Sequence, residues 1–177
     1  MIPIQLTLSG FLSYRDRVEL DFTGFDLACI AGSNGAGKSS LLDAITWSLF
    51  GQARKRDDSL INSSEEIAEV SLIFSYEGNI YRVLRTKPRN KTTQLEFHIL
   101  QETSGDIDIV SGTWKPLTER TLRDTEARIQ EILSLDYDTF VNASFFLQGK
   151  ADQFTQQRPA DRKRILSSIL GLEIWEA

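Results

Sequence analysis

Eight residues stand at a spacing that could hold a phosphate: Gly32-Ser33-Asn34-Gly35-Ala36-Gly37-Lys38-Ser39 fits G-x-x-x-x-G-K-[ST]. Gly32, Gly35 and Gly37 let the backbone turn sharply and approach phosphate oxygens with no Cβ in the way. The N–H groups of a loop from Ser33 to Ser40, opening into a helix, would then hold the anion together with the positive end of the helix dipole. Lys38 would set an ammonium against the β- and γ-phosphates, and the Ser39 hydroxyl would ligate Mg²⁺. The plain alternative is a glycine turn before an ordinary helix, and the context argues against it.

That context is strand, loop, helix. Phe25 to Ala31 (FDLACIA) is a short apolar run that predicts a parallel strand buried on both faces. Leu41, Leu42, Ile45 and Leu49 repeat at helical spacing, and Gly51 stands where that helix should stop. Ahead of the loop, Ile2 to Leu8 and Val18 to Phe22 alternate as half-buried strands. Beyond a polar loop at 52–64, alternation returns at Glu69–Tyr76, Asn79–Leu84 and Gln94–Leu100, with turns at Gly78-Asn79 and around Pro88, which predicts an antiparallel meander. Residues 101–117 read as loop. Thr118 is placed to cap a helix to about Leu133 with Leu122, Glu126, Ile129 and Leu133 on one stripe. An aromatic stretch, Asp136 to Phe146, leads into Leu147-Gln148-Gly149. Pro159 then opens a last helix whose apolar face is Ile165, Leu166, Ile169 and Leu170.

Composition bounds the reading. With 41% hydrophobic and 25% charged residues among 177, the chain has the balance of one globular domain. Its net charge of −5 means that any nucleic-acid role must rest on local basic patches. Cys29 is alone, so no disulfide framework is expected, in keeping with a reducing cytoplasm. The start, MIPIQLTLSGF, lacks a basic n-region, and no apolar run nears the ~18 residues of a membrane span, so neither export nor a membrane partner is expected.

A nucleotide hydrolase of this type also needs an apolar strand ending in an acidic residue and a water-positioning group. Leu135-Asp136-Tyr137-Asp138 is the nearest candidate, but an amphipathic helix precedes it, so it is rejected. Leu8-Ser9-Gly10-Phe11 lies ahead of the phosphate loop, where no signature loop belongs. His98, the one histidine, sits mid-strand and reads as an ordinary half-buried side chain. The catalytic set is incomplete.

A family resemblance accounts for the gap. GFLSYRDRVELDF (10–22), the phosphate loop with LLDAITWSLFG (41–51), FLQG (146–149) and RPADRKRILSSILGL (158–172) together resemble the N-terminal half of the head of SbcC-type ATPases, the SMC-like, ABC-type proteins of DNA repair. The resemblance covers nearly the whole chain. It implies an α/β P-loop fold: the N-terminal lobe of an ABC-type ATPase, with a mixed sheet, an antiparallel meander and, over 158–177, the approach to a coiled coil. In that family the head is split in sequence, so the missing signature loop, acidic strand and switch histidine lie in a C-terminal half. The implied ligands are ATP and Mg²⁺. The implied partners are that C-terminal half, a second head closing over the nucleotide, an SbcD-type nuclease and double-stranded DNA, in a cytoplasmic, nucleoid-associated setting.

By position, Gln148 resembles the glutamine that reaches Mg²⁺ and reports a γ-phosphate. Asn34 resembles a residue near that phosphate, and Ser13 and Tyr14 match the segment that approaches the base or ribose. Leu12 departs from relatives that carry Arg there. A chromosome-organising SMC or RecN-like head, tethering DNA without a nuclease, is the alternative. A transporter's nucleotide-binding domain is more distant, since it keeps signature and acidic strand in one chain of ~200–250 residues.

Two basic clusters supply a candidate DNA surface. Arg82, Arg85, Lys87, Arg89 and Lys91 occur with no acidic residue among them, and Arg54, Lys55 and Arg56 follow the phosphate-loop helix. The odd numbering from 85 to 91 would put four cations on one face of an extended strand. The alternative is a solvated hairpin tip.

Overall fold

The computed structural model describes residues 1–25, 27–101, 109, 112–144, 158–160 and 162–163. The chain divides into two compact units, Met1–Ile129 and Gln130–Ala177.

The first unit is built on one sheet. Strands β1 (Ile2–Ser9), β2 (Val18–Asp21), β3 (Ile67–Tyr76), β4 (Asn79–Pro88), β5 (Gln94–Leu100) and β6 (Trp114–Pro116) lie in the order β2-β1-β3-β4-β5-β6. The meander over β3, β4 and β5 forms as the alternation predicts, and β6 extends it from within the stretch read as loop. Glu77 and Gly78, both at positive φ (49° and 78°), make the two-residue turn that joins Tyr76 to its partner Asn79.

Alternation decides which face is buried. Leu6 and Leu8 of β1, Val70, Leu72 and Phe74 of β3, Tyr81 and Val83 of β4, and Leu95 and Phe97 of β5 form the inner face. Tyr81 stacks between Phe74 and Phe97, each ring centroid 5.6 Å away. Each such side chain contributes about 1.5–3 kcal/mol by leaving water.

Helix α1 (Lys38–Phe50) lies against β3 and β4. Leu41, Ala44, Trp47, Leu49 and Phe50 are buried, and so are Ser40, Thr46 and Ser48, so this helix is enclosed on more than one side. Thr46 and Ser48 satisfy their hydroxyls within the helix, on the Asp43 (3.2 Å) and Ile45 (2.8 Å) carbonyls. Gly51 ends it at φ 67°, donating its N–H to the Trp47 carbonyl at 2.9 Å, as the sequence predicts.

Two expectations fail in this unit. In the run Phe25 to Ala31, the described residues, Phe25 and 27–31, form no strand. Leu27 is 90% exposed, Ile30 51% and Phe25 46%, and Cys29 is exposed with them. An apolar run becomes a buried parallel strand only where neighbouring strands take its N–H and C=O groups. Among the described residues every pairing is antiparallel and none involves this run, so the parallel component of a mixed sheet is not formed there. The second failure is the helix start. Helix α2 spans Leu122–Leu133, and Thr121 caps it by accepting from the Asp124 N–H at 3.1 Å. Thr118 instead closes the edge of β5, accepting from the Phe97 N–H (2.9 Å) and donating to its carbonyl (3.2 Å).

The second unit opens with the last turn of α2, reverses at Ser134 (φ 51°), and continues as α3 (Tyr137–Ser144). Asp136 caps α3, its Oδ1 accepting from the Thr139 N–H at 2.7 Å. Its local capping role agrees with rejecting it as a metal ligand on a strand. Pro159, Ala160, Arg162 and Lys163 are helical, as Pro159 predicts. Gln148 with the rest of Phe146–Gly149, and the apolar positions from Ile165 to Leu170, lie outside the described residues.

Candidate nucleotide site

The phosphate loop leads directly into α1, whose first residue is Lys38. Gly35 and Gly37 hold φ of 87° and 91°, backbone that L side chains rarely adopt. No side chain caps the first turn of α1, so its leading N–H groups carry the positive end of the dipole toward the loop. The Lys38 ammonium lies back over the loop and donates to the carbonyls of Gly32 at 2.7 Å and Ser33 at 2.9 Å. Ser33, Asn34, Gly35 and Ala36 are exposed, Gly37 and Ser40 are buried, and Lys38 and Ser39 are half-buried.

The segment after β1 is folded against this loop. A Cβ on Gly37 would come within 3.1 Å of the Ser13 Cβ and 3.2 Å of the Tyr14 ring, so glycine is required for contact as well as conformation. Ser13 Oγ lies 3.3 Å from Ser40 Oγ. The segment is fixed from behind by backbone: the Leu12 N–H donates to the Leu60 carbonyl and Asn62 Nδ2 to the Leu12 carbonyl, both at 2.8 Å. Phe11 packs on Trp47 of α1 with centroids 5.2 Å apart. Partial burial raises the Tyr14 pKa above the ordinary phenol value of 10.0. The structure therefore brings Ser13 and Tyr14 against the phosphate loop from an earlier part of the chain.

Arg54 and Asp43 complete the setting, and sequence reasoning assigned neither to it. Arg54 Nε pairs with Asp43 Oδ2 at 2.7 Å, its backbone N–H donates to Asp43 Oδ1 at 3.0 Å, and Nη2 donates to Ser40 Oγ at 2.8 Å. Burial pushes the Asp43 carboxyl up from 3.8, and Arg54 opposes it through hydrogen bonding and charge. The one available signal was Asp43 on a helix otherwise rich in apolar and small residues, eleven positions before an arginine.

The basic clusters are redistributed. Arg85 is 2% exposed on the inner face, so burial removes it from the candidate DNA surface. Arg85 and Lys87 do share a face, as their parity predicts, but that face is the one covered by α1. Arg54 is committed to Asp43 and Ser40. Lys87 pairs with Asp58 at 3.1 Å and Arg89 donates to the carbonyls of Asn62 (3.3 Å) and Glu65 (2.7 Å). Arg82 stands on the opposite face with its guanidinium 4.6 Å from the Trp114 ring centroid. Lys55, Arg56 and Lys91 are exposed, as is Arg54 despite its two partners. Asp58 ties the two clusters together by also accepting from the Asn90 N–H at 2.9 Å, and Arg56 and Lys87 line one cavity of about 460 Å³. His98 is half-buried opposite Arg82; burial first, then that guanidinium, holds its pKa below 6.5. Among the described residues no group of three His, Cys, Asp or Glu is placed to hold a metal, and no helix is long and apolar enough to cross a membrane.

An uncapped helix N-terminus behind a glycine loop, with a lysine on the loop carbonyls, defines a P-loop nucleotide-binding protein. A family model described as an AAA domain matches residues 5–174, and the chain belongs to that family. Over its whole length the sequence is similar to SbcC and Rad50 ATPases. It is 33% identical over 97% of its length to the SbcC component of the SbcCD nuclease of Deinococcus radiodurans. It is 34% identical over its whole length to a DNA double-strand break repair Rad50 ATPase of Thermoplasma volcanium. The chain spans 19% and 18% of those two relatives. Its fold is shared with a structure solved for "ATP-driven dimerization and DNA stimulated activation of SMC ATPases", at a TM-score of 0.63 and 22% identity, covering 96% of this chain and 99% of that one.

Proposed function

We propose that residues 1–177 are the ATP-binding N-terminal lobe of an SbcC-type ATPase head, with 158–177 leading toward a coiled coil. The observation that carries this is the loop itself: Lys38, Ser39 and the uncapped first turn of α1 converge where Ser13 and Tyr14 are packed on Gly37. These groups suit a nucleotide triphosphate with Mg²⁺. Lys38 would exchange its two loop carbonyls for phosphate oxygens. Ser39 and Gln148 would supply oxygens to Mg²⁺, whose charge offsets that of the β- and γ-phosphates. Asn34 would lie near the γ-phosphate, and Ser13 and Tyr14 beside the ribose or base. Arg54 would fix the first turn of α1 through Ser40.

Hydrolysis needs groups that position water and stabilise charge developing at the γ-phosphate. Those belong to the C-terminal half of the head and to a second head, so closure of two heads around ATP would assemble the reactive site. In the full protein, closure would govern the access of an SbcD-type nuclease to double-stranded DNA ends. The DNA surface would run over Lys55, Arg56, Lys87, Arg89 and Lys91, with Arg82 on the opposite sheet face outside it.

The test is nucleotide binding. Lys38→Ala should abolish ATP–Mg²⁺ binding by titration calorimetry while leaving the thermal transition in place; wild-type affinity in that variant would reject the site. In the assembled head, Gln148→Ala should keep binding but suppress hydrolysis. Co-purification with a manganese-dependent nuclease separates this reading from a tethering head without one.

A further inference from the structure

Arg85 is the largest fully buried side chain of the described residues, and the nucleotide site makes no direct use of it. It stands mid-strand on β4 between Val70 of β3 and Leu95 of β5, pointing from an apolar face. Its Nε donates to the Ser48 carbonyl at 3.2 Å, and Nη1 pairs with Glu126 Oε1 of α2 at 2.7 Å. The guanidinium carbon is 5.8 Å from the centroid of Trp47. Ser48 and Trp47 belong to the last turn of α1, where a cation complements the negative end of the helix dipole. Gly51 makes room for the junction. A Cβ there would come 2.8 Å from Glu126 Oε1 and 3.0 Å from Arg85 Nη1.

The neighbouring cavity of about 460 Å³ does not make this an anion site. Arg56, Arg85 and Lys87 line it, but so do Asp57 and Glu126, and the C-terminal end of α1 opens onto it. Glu126 and the helix end already take Nη1 and Nε of Arg85, and Nη2 alone is left without a partner. The junction joins elements instead: one planar fork reaches a helix end and a carboxylate on a second helix, a span that a point-charge ammonium cannot cover.

We infer that Arg85 is a positioning residue of the nucleotide site, holding the C-terminal end of the helix whose N-terminal residues, Lys38 and Ser39, grip the phosphates. The inference rests on the proposed nucleotide site. A helix of 13 residues is a rod of about 20 Å, and its interior packing leaves it little room to bend. A displacement at its loop end therefore reaches the Arg85–Glu126 pair, and through Glu126 it reaches α2. Arg85 thereby makes nucleotide binding felt in α2.

Hydrogen exchange of this chain with and without ATP–Mg²⁺ tests the inference. In the wild type, nucleotide should slow exchange at the phosphate loop and also at Thr125–Ile129 of α2. The paired change Arg85→Met with Glu126→Leu removes both charges together, which leaves no orphaned ion and commonly preserves stability. That variant should retain the protection at the phosphate loop and lose it at α2. Arg85→Lys keeps the charge and most of the stem but cannot span both acceptors, so it should lose most of the α2 response too. It decides the matter if the paired variant fails to fold. Full α2 protection in either variant would make Arg85 a purely structural residue and overturn the inference. So would a wild-type chain whose phosphate loop responds while α2 does not. A wild-type loop that does not respond at all overturns the nucleotide reading, and this inference with it.

Discussion

Replacing Gly51 with Ala tests the junction at the end of α1 by its stability. Two costs add at this position. The backbone is left-handed at φ 67°, and placing an L residue there costs roughly 1–2 kcal/mol. The new Cβ also meets Glu126 Oε1 at 2.8 Å and Arg85 Nη1 at 3.0 Å, so the ion pair must shift while Arg85 stays buried. A buried polar group that loses its partner costs roughly 1–3 kcal/mol. Gly78→Ala is the matched control, because Gly78 has φ 78° and an added Cβ meets nothing within 4 Å. Strain is common to both variants, so their difference isolates the junction. Chemical denaturation followed by fluorescence should show Gly51→Ala less stable than Gly78→Ala by roughly 1–3 kcal/mol, or about 2–12 °C in Tm for a chain of this size. Equal losses in the two variants would show that the ion pair yields without cost and that the Arg85 clamp is loose.

Three further outcomes are expected. Changing Lys55, Arg56 and Lys91 together to Glu in the assembled head with ATP should weaken duplex binding and reduce the log–log salt slope by about 0.9 for each phosphate no longer neutralised, with basal hydrolysis unchanged; unchanged affinity and slope would place DNA elsewhere. The Asn90 N–H, followed by the Lys87 ammonium, holds the Asp58 carboxyl below its ordinary 3.8. Its contribution to the hairpin tie is therefore full above 3.8 and is lost as pH falls through the lower folded value, so the Asn90 amide resonance should titrate below 3.8 and cease to do so in Asp58→Asn. Leu27→Ser with Ile30→Ser should reduce self-association of the chain in sedimentation while leaving Tm unchanged, because both side chains are already exposed at 90% and 51%; a large fall in Tm would mean that the run is packed in solution.

The sequence was legible wherever a pattern depended on neighbours close along the chain. The strands of the meander, α1 with its glycine stop, and the phosphate loop all follow from period, turn chemistry and motif spacing. Misreadings arose where a residue's role depended on what stood across from it. Arg85 carries the same charge and parity as Lys87, and nothing local marks it as interior. Its burial follows from the pairing with Val70 and Leu95 under α1, and from a carboxylate 41 positions later that makes the burial tolerable. Arg54 is surface charge, as its sequence neighbourhood predicts, with a side chain 48% exposed, but its pairing depends on Asp43, eleven positions earlier on α1. The run Phe25 to Ala31 shows the converse. Its composition is that of a buried strand, yet composition cannot provide the strands that would bury it, and here it lies exposed beside the phosphate loop. An apolar run in that state leaves its side chains in water, and among the described residues no strand pairs with it.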